Sequence, residues 1–82
     1  MSVSLGADRQ ILLEGSCGSE DAESLLQLLL SMPGAVVDWQ RCSMAHAAVL
    51  QVLLAAGPPL RGTPRGEELA RWVGPALARL DQ

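Results

Sequence analysis

Few side chains in this sequence can carry out bond chemistry. They are Cys17, Cys42, the only histidine at 46, Asp38 upstream of it and Ser43 in between. Cys42 and His46 stand four apart, so on a continuous helix they share one face, and Cys17 joins them if folding brings it close. Zinc needs four ligands, or three and a water, and Asp38 is the only other nearby donor. A Cys–His nucleophilic pair is the second chemistry these types allow. Against both, apolar surroundings disfavour the thiolate, and small buried apolar residues are the simpler reading of the two cysteines. The expectation is therefore no metal, no cofactor and no catalysed reaction. Ser43 reads as a helix-capping hydroxyl more simply than as a phosphorylation site. Every basic residue is Arg, with no Lys, which excludes a Schiff base, a P-loop lysine and a lysine general base. Gly15-Ser16-Cys17-Gly18 is glycine-rich but lacks the lysine and the spacing of a phosphate loop.

These residues sit among short elements separated by Gly6, Gly15 to Gly18, Pro33-Gly34, Gly57-Pro58-Pro59 and Gly62-Thr63-Pro64. Ser2 to Leu5 and Arg9 to Glu14 read as strands of an antiparallel hairpin around Gly6-Ala7-Asp8, with Ile11 and Leu13 on one face. Ser19 is the expected N-cap of a helix whose first turn carries Glu20, Asp21 and Glu23. Ala22, Leu25, Leu26 and Leu29 recur at helical spacing, and Met32-Pro33-Gly34 ends the run. Ala35 to Trp39 has the apolar, β-branched character of an interior parallel strand. Ser43 to Ala56 is apolar nearly all round and predicts a largely buried helix, capped by Ser43 and closed by Gly57 in the left-handed conformation. Leu60-Arg61-Gly62 is a short strand candidate. A last helix opens at Thr63 or Pro64, with Leu69, Trp72, Val73, Ala76, Leu77 and Leu80 on its apolar stripe and a bend at Gly74-Pro75. The order strand, strand, helix, strand, helix, strand, helix predicts an α/β fold: a small mixed β-sheet with an N-terminal hairpin and helices packed mainly on one face.

Eighty-two residues make one domain, 1–82. A hydrophobic share of 49% against 18% charged excludes disorder of the low-hydrophobicity kind. The net charge of −3 denies nucleic acid a basic face, and two tryptophans as the only aromatics offer no base-stacking platform. The chain opens without a basic, apolar leader, and its longest apolar run falls short of the ~20 residues that span a bilayer. The expectation is a cytoplasmic protein with reduced thiols and no membrane insertion. The many Ala, Gly, Leu, Pro and Arg, with no Lys, Asn, Phe or Tyr, fit a GC-rich, bacterial genome.

The segment "VVDWQRCSMAHAAVLQVLLAA" resembles the central strand and helix of the STAS family, the anti-sigma-factor-antagonist-like domains. There a strand ending in Val-Asp-Leu or similar leads through a loop to an Asp-Ser-(Ser/Ala)-Gly-Leu turn that opens an apolar helix. Val37-Asp38-Trp39 matches the strand end, Leu50 the motif Leu, and Val52-Leu53-Leu54 the apolar run. The upstream "ILLEGSCGSEDAESLLQLL" is similar to the family's second strand, its Gly and its first helix. The resemblance covers about residues 9 to 77, and the order of elements carries most of it. It departs at the motif itself: the family's Asp falls on His46, its phosphorylated Ser on Ala47 and its Gly on Val49. Alanine has no hydroxyl, so Ala47 cannot accept a phosphoryl group. The chain is also shorter than the family norm at the last strand.

The resemblance implies a non-enzymatic signalling domain that docks a protein partner through Asp38 to Leu50, with Asp38, Trp39, Ser43, His46, Ala47 and Ala48 as contact residues. The implied partners are an anti-sigma kinase-like protein, a chemotaxis component or a transporter ATPase. His46 is expected in the first turn of the helix, satisfying local backbone or facing the partner. Trp39 is expected just past the strand and partly exposed, and Trp72 as core or as a partner anchor. A homodimer hiding both tryptophans is a further expectation, as is a small Cys/His metal-binding protein or thiol enzyme.

Overall fold

The computed structural model describes residues 2–73. Its elements are β1 (Val3–Leu5), β2 (Gln10–Cys17), α1 (Ser19–Ser31), β3 (Val36–Ala45), α2 (Ala47–Ala56), β4 (Leu60–Arg61) and a π-helical turn, Leu69–Val73. The strands form one sheet in the order β1-β2-β3-β4. β1 runs antiparallel to β2, while β2, β3 and β4 are mutually parallel. The two helices are the crossovers between the parallel strands and pack against each other, so they share one face of the sheet. This is the small mixed α/β sheet that the sequence predicts, with the expected hairpin and a short β4. Trp72's side chain, the Gly74-Pro75 bend, and the stripe positions Ala76, Leu77 and Leu80 lie outside the described residues.

Between sheet and helices lies the core. Ile11 and Leu13 from β2, Val37, Trp39 and Cys42 from β3, Leu25 from α1, and Val49 and Leu53 from α2 are all buried. Neighbouring strands in register point side chains the same way, so Ile11, Val37 and Leu60 form one inward row. Ser4, Leu12, Asp38 and Arg61 form the matching outward row on the helix-free face.

The hairpin turn is centred on Asp8 and Arg9, not on Gly6-Ala7-Asp8. Both have positive φ, 53° and 63°, and the amide of Gln10 donates to the carbonyl of Ala7 (3.2 Å). Two left-handed residues in succession give the turn whose twist matches a two-stranded ribbon. Arg9 then serves as a tie. Its guanidinium donates to the carbonyl of Pro33, and its own carbonyl accepts from the amide of Val36 at 3.1 Å.

Helix α1 is capped by Gly18, one residue earlier than the expected Ser19. The Asp21 carboxylate reaches back to accept from the Gly18 amide (2.8 Å). An acid at the third helical position can thus tie the entry even where the cap has no side chain. Strand β3 is twice as long as the expected Ala35–Trp39 segment, and it gains two residues on β2. Leu12 pairs with Asp38, but Glu14 with Arg41 and Ser16 with Met44. Each insertion is a bulge that reverses the alternation of faces. Val37 and Trp39 point inward, and Cys42, an odd number of residues on, points inward too.

Helix α2 consequently starts at Ala47 rather than Ser43, which lies in β3. It is not buried all round. Val49 and Leu53 face the core, whereas Ala47, Gln51, Leu54 and Ala55 form an exposed stripe. Its end matches expectation: Gly57 adopts φ 60°, ψ 40°, and its amide donates to the carbonyl of Leu53 (2.9 Å). A Cβ at Gly57 meets no neighbour, so substitution there costs only the left-handed backbone. Gly57→Ala is expected to lower stability by about 1 kcal/mol. The urea midpoint should fall with no change in the slope of the transition; an unmoved midpoint would show that α2 does not end this way.

Candidate functional site

The carboxyl ends of β2 and β3 lie side by side and feed directly into the two helices. The amide of His46 donates to the carbonyl of Cys17 (2.8 Å), tying the start of α2 to the end of β2. His46 is the N-cap of α2: its extended backbone lets Nδ1 accept from the Ala48 amide at 3.0 Å. Its carbonyl accepts from the amides of Val49 and Leu50 (2.9 and 3.2 Å). The imidazole thus does the work of an Asp or Ser cap, and it satisfies local backbone, as one of the two expectations for it held.

Beside this helix start, Ser43, Met44, Ala45, Leu50, Glu68, Leu69 and Val73 line a hollow of about 270 Å³. The far wall is positioned by backbone contact. The amides of Arg65 and Gly66 donate to the carbonyl of Cys42 (3.0 and 3.1 Å). A Cβ on Gly66 would run into the Ser43 carbonyl, so this close approach needs glycine. Leu69 packs into the core from that segment, and Met44 stands on the near side with 63% of its surface open.

The expected contact residues do not form one patch. Ser43 lines the hollow, while His46, Ala47 and Ala48 form the start of α2, where Ala47 is exposed and Ala48 half-buried. Asp38 lies seven strand positions back from Ala45, roughly 20 Å along β3, on the helix-free face. Its Oδ1 accepts from the Gln40 amide (3.0 Å). With Leu12, Glu14, Gln40 and Arg41 it borders a separate shallow hollow of about 260 Å³. The Arg41–Glu14 ion pair there (3.4 Å) is exposed and contributes little to stability. Trp39 is not past the strand and not partly exposed. It is 2% exposed within β3, and its indole N–H donates to the Gly62 carbonyl (2.8 Å). It is core, so a dimer is not needed to bury it.

Cys42 and His46 share no helical face, because Cys42 is an inward strand residue and His46 an exposed cap. Among the described residues no three His, Cys, Asp or Glu side chains gather as metal ligands. Cys42 does meet Cys17: their Sγ atoms are 3.9 Å apart and both residues are buried. Cys42 Sγ also lies 3.4 Å from the Met44 carbonyl. The hydrogen bond to Cys42, then burial and the Asp21 carboxylate, push the Cys17 thiol far above its ordinary range. The same hydrogen bond, donated by Cys17, favours the Cys42 thiolate and lowers its pKa against the opposing effect of burial.

Met44, Leu69 and Val73 are the site residues that sequence reasoning missed as a surface. Assigning Ser43 to a helix hid the strand end that exposes Met44. Leu69 and Val73 were read as core stripe, and both do pack on the core while also forming the wall of the hollow. No protein-family model matches this chain, and no curated protein or solved structure matches it. Among the described residues no helix is long and apolar enough to cross a membrane.

The cap makes a direct prediction. His46→Ala should lower stability by about 1 kcal/mol, and His46→Asn should retain most of it, since Asn presents an equivalent acceptor. Urea unfolding of both variants checks this; equal loss in the two would mean that the ring matters for something other than capping.

Proposed function

We propose that this chain is a non-enzymatic protein-interaction domain of the STAS type, acting in bacterial cytoplasmic signalling and docking its partner at the start of α2. The observation that carries the reading is the apolar hollow between the end of β3, the first turns of α2 and Leu69–Val73, with Met44 63% exposed at its edge. Burying that apolar surface supplies affinity, and the Ser43 hydroxyl, the Glu68 carboxylate and the free face of His46 supply a polar rim that sets orientation. Supporting the family reading are the hairpin, the two parallel crossovers and the entry of α2 at His46-Ala47, the place where the family carries its Asp and its phosphorylated Ser.

The partner class follows the family: an anti-sigma kinase-like protein, a chemotaxis component or the ATPase subunit of a transporter. Ala47 is exposed at the first position of α2 and has no hydroxyl, so the domain binds without the family's serine switch there. Asp38 belongs to a different face and is not part of this docking surface. Ala48 is half-buried in the first turn of α2 and packs against the core.

Two variants test the reading against a partner captured from the source cell and then purified. Met44→Arg and Ala48→Arg should each weaken its binding about tenfold or more, with circular dichroism unchanged. Full-strength binding by a folded Met44→Arg would move the interface elsewhere. Incubation with an anti-sigma-type kinase and ATP should leave the chain unmodified by intact mass. Phosphate on Ser43 would show that a switch persists beside the position where the family has it.

A further inference from the structure

We propose that Cys17 and Cys42 form a reversible oxidative modification site, a paired dithiol that a peroxide converts to an intramolecular disulfide. The pairing is built by the sheet. Cys17 is the last residue of β2, Cys42 lies in the adjacent parallel strand opposite Gly15, two residues before Cys17, and the bulge between Asp38 and Arg41 turns Cys42 to the buried side that Cys17 also faces. Their Sγ atoms are 3.9 Å apart. Bond formation at about 2.05 Å asks for an approach of about 1.8 Å, to be shared between two side-chain rotations and movement of the end of β2. The partner thiol is thus the nearest nucleophile to any sulfur that becomes oxidised.

The chemistry balances as follows. The Cys42 thiolate, favoured by the hydrogen bond from Cys17, attacks one oxygen of hydrogen peroxide. The O–O bond breaks, Cys42 becomes a sulfenic acid, and hydroxide leaves to combine with the proton Cys42 has lost. Cys17 sulfur then attacks Cys42 sulfur, the S–O bond breaks, and the hydroxyl departs with the Cys17 proton as water. Two thiols and one peroxide give one disulfide and two waters. Burial of both cysteines, at 1% and 0% exposure, selects an oxidant near the size of water over a bulky disulfide reagent.

The pair also lies directly beneath the helix entries. The Cys17 carbonyl holds the His46 amide, and the Cys42 carbonyl holds the amides of Arg65 and Gly66. The modification therefore sits under the hollow, although it does not depend on the function proposed for that hollow.

Mass spectrometry of the full chain tests this. The reduced protein is treated with hydrogen peroxide, quenched with catalase, denatured and alkylated with iodoacetamide. The expected product is a monomer lighter by two hydrogens that takes up no label, with peptide mapping joining Cys17 to Cys42. Dithiothreitol should restore both alkylatable thiols. In a Cys17→Ala variant, the same peroxide treatment should give no product lighter by two hydrogens. The proposal is overturned if the wild-type chain keeps two alkylatable thiols, runs on to sulfinic acid at one cysteine, or yields mainly disulfide-linked dimers. The wild-type readout stands whether or not the variant folds.

Discussion

The two residues that β3 gains on β2 are the constraint on which the rest of this structure depends. Parallel strands in register share their inward and outward faces. An extra residue in one strand reverses its parity, and a second restores it. The first gain falls between Asp38 and Arg41, the second between Cys42 and Met44. Trp39 lies before both and fills the core. Cys42 lies between them and is turned inward against Cys17. Met44 lies after both and is turned out to solvent. Without the bulges, Cys42 would share the face of Gln40 and Asp38, and the sulfur pair could not form. The added length also carries β3 to Ala45, so that His46 can donate its amide to the end of β2 and cap α2 in the same step.

Most of the architecture was legible because the signals were local. Ile11 and Leu13 alternate, Leu25 sits at helical spacing from Ala22 and Leu29, and Pro33-Gly34 and Gly57 punctuate. Each follows from a few neighbouring residues, and each agrees with the tertiary outcome. The failures share a cause as well. Gln40 to Ala45 has no strand alternation, because the bulges break it, and it carries a serine that is a good helix cap in isolation. Local preference assigned Ser43 to Ala45 to a helix and left Gln40 to Cys42 between elements. The sheet overrode it, since pairing with β2 satisfies their backbone groups and buries Cys42. The Asp8-Arg9 turn was missed for a related reason. Arg is a poor residue for positive φ, and only the long-range tie from Arg9 to Pro33 gives it a reason to sit there.

The site was legible in position more than in composition. The helix start lies at His46 and Ala47 rather than at Ser43, so His46, Ala47 and Ala48 stand at the entry of α2 while Ser43 stays in the strand before it. Asp38 and Trp39 were drawn in by nearness along the chain, and strand geometry separates them: Asp38 goes to the opposite face and Trp39 into the core. Met44 could have been found from one clue only, a large apolar side chain in a stretch otherwise polar or small, and that clue works only once the segment is known to be a strand end.

Among the hollows formed by the described residues, two include expected contact residues, and their chemistry separates them. The one on the helix-free face is bordered by Asp38, Glu14 and Arg41, charges already engaged with a backbone amide or with each other. That ion pair is exposed and worth little by itself, and the charged groups leave a partner less apolar surface to bury there. The hollow beside α2 is bordered by Met44, Ala45, Leu50, Leu69 and Val73, with Ser43 and Glu68 as its polar members. A partner there gains apolar burial with few polar groups to desolvate. α2 itself continues that surface, since Ala47, Leu54 and Ala55 face solvent along one stripe that Gln51 interrupts. A small charged ligand would find no buried counter-charge among the residues that line this hollow.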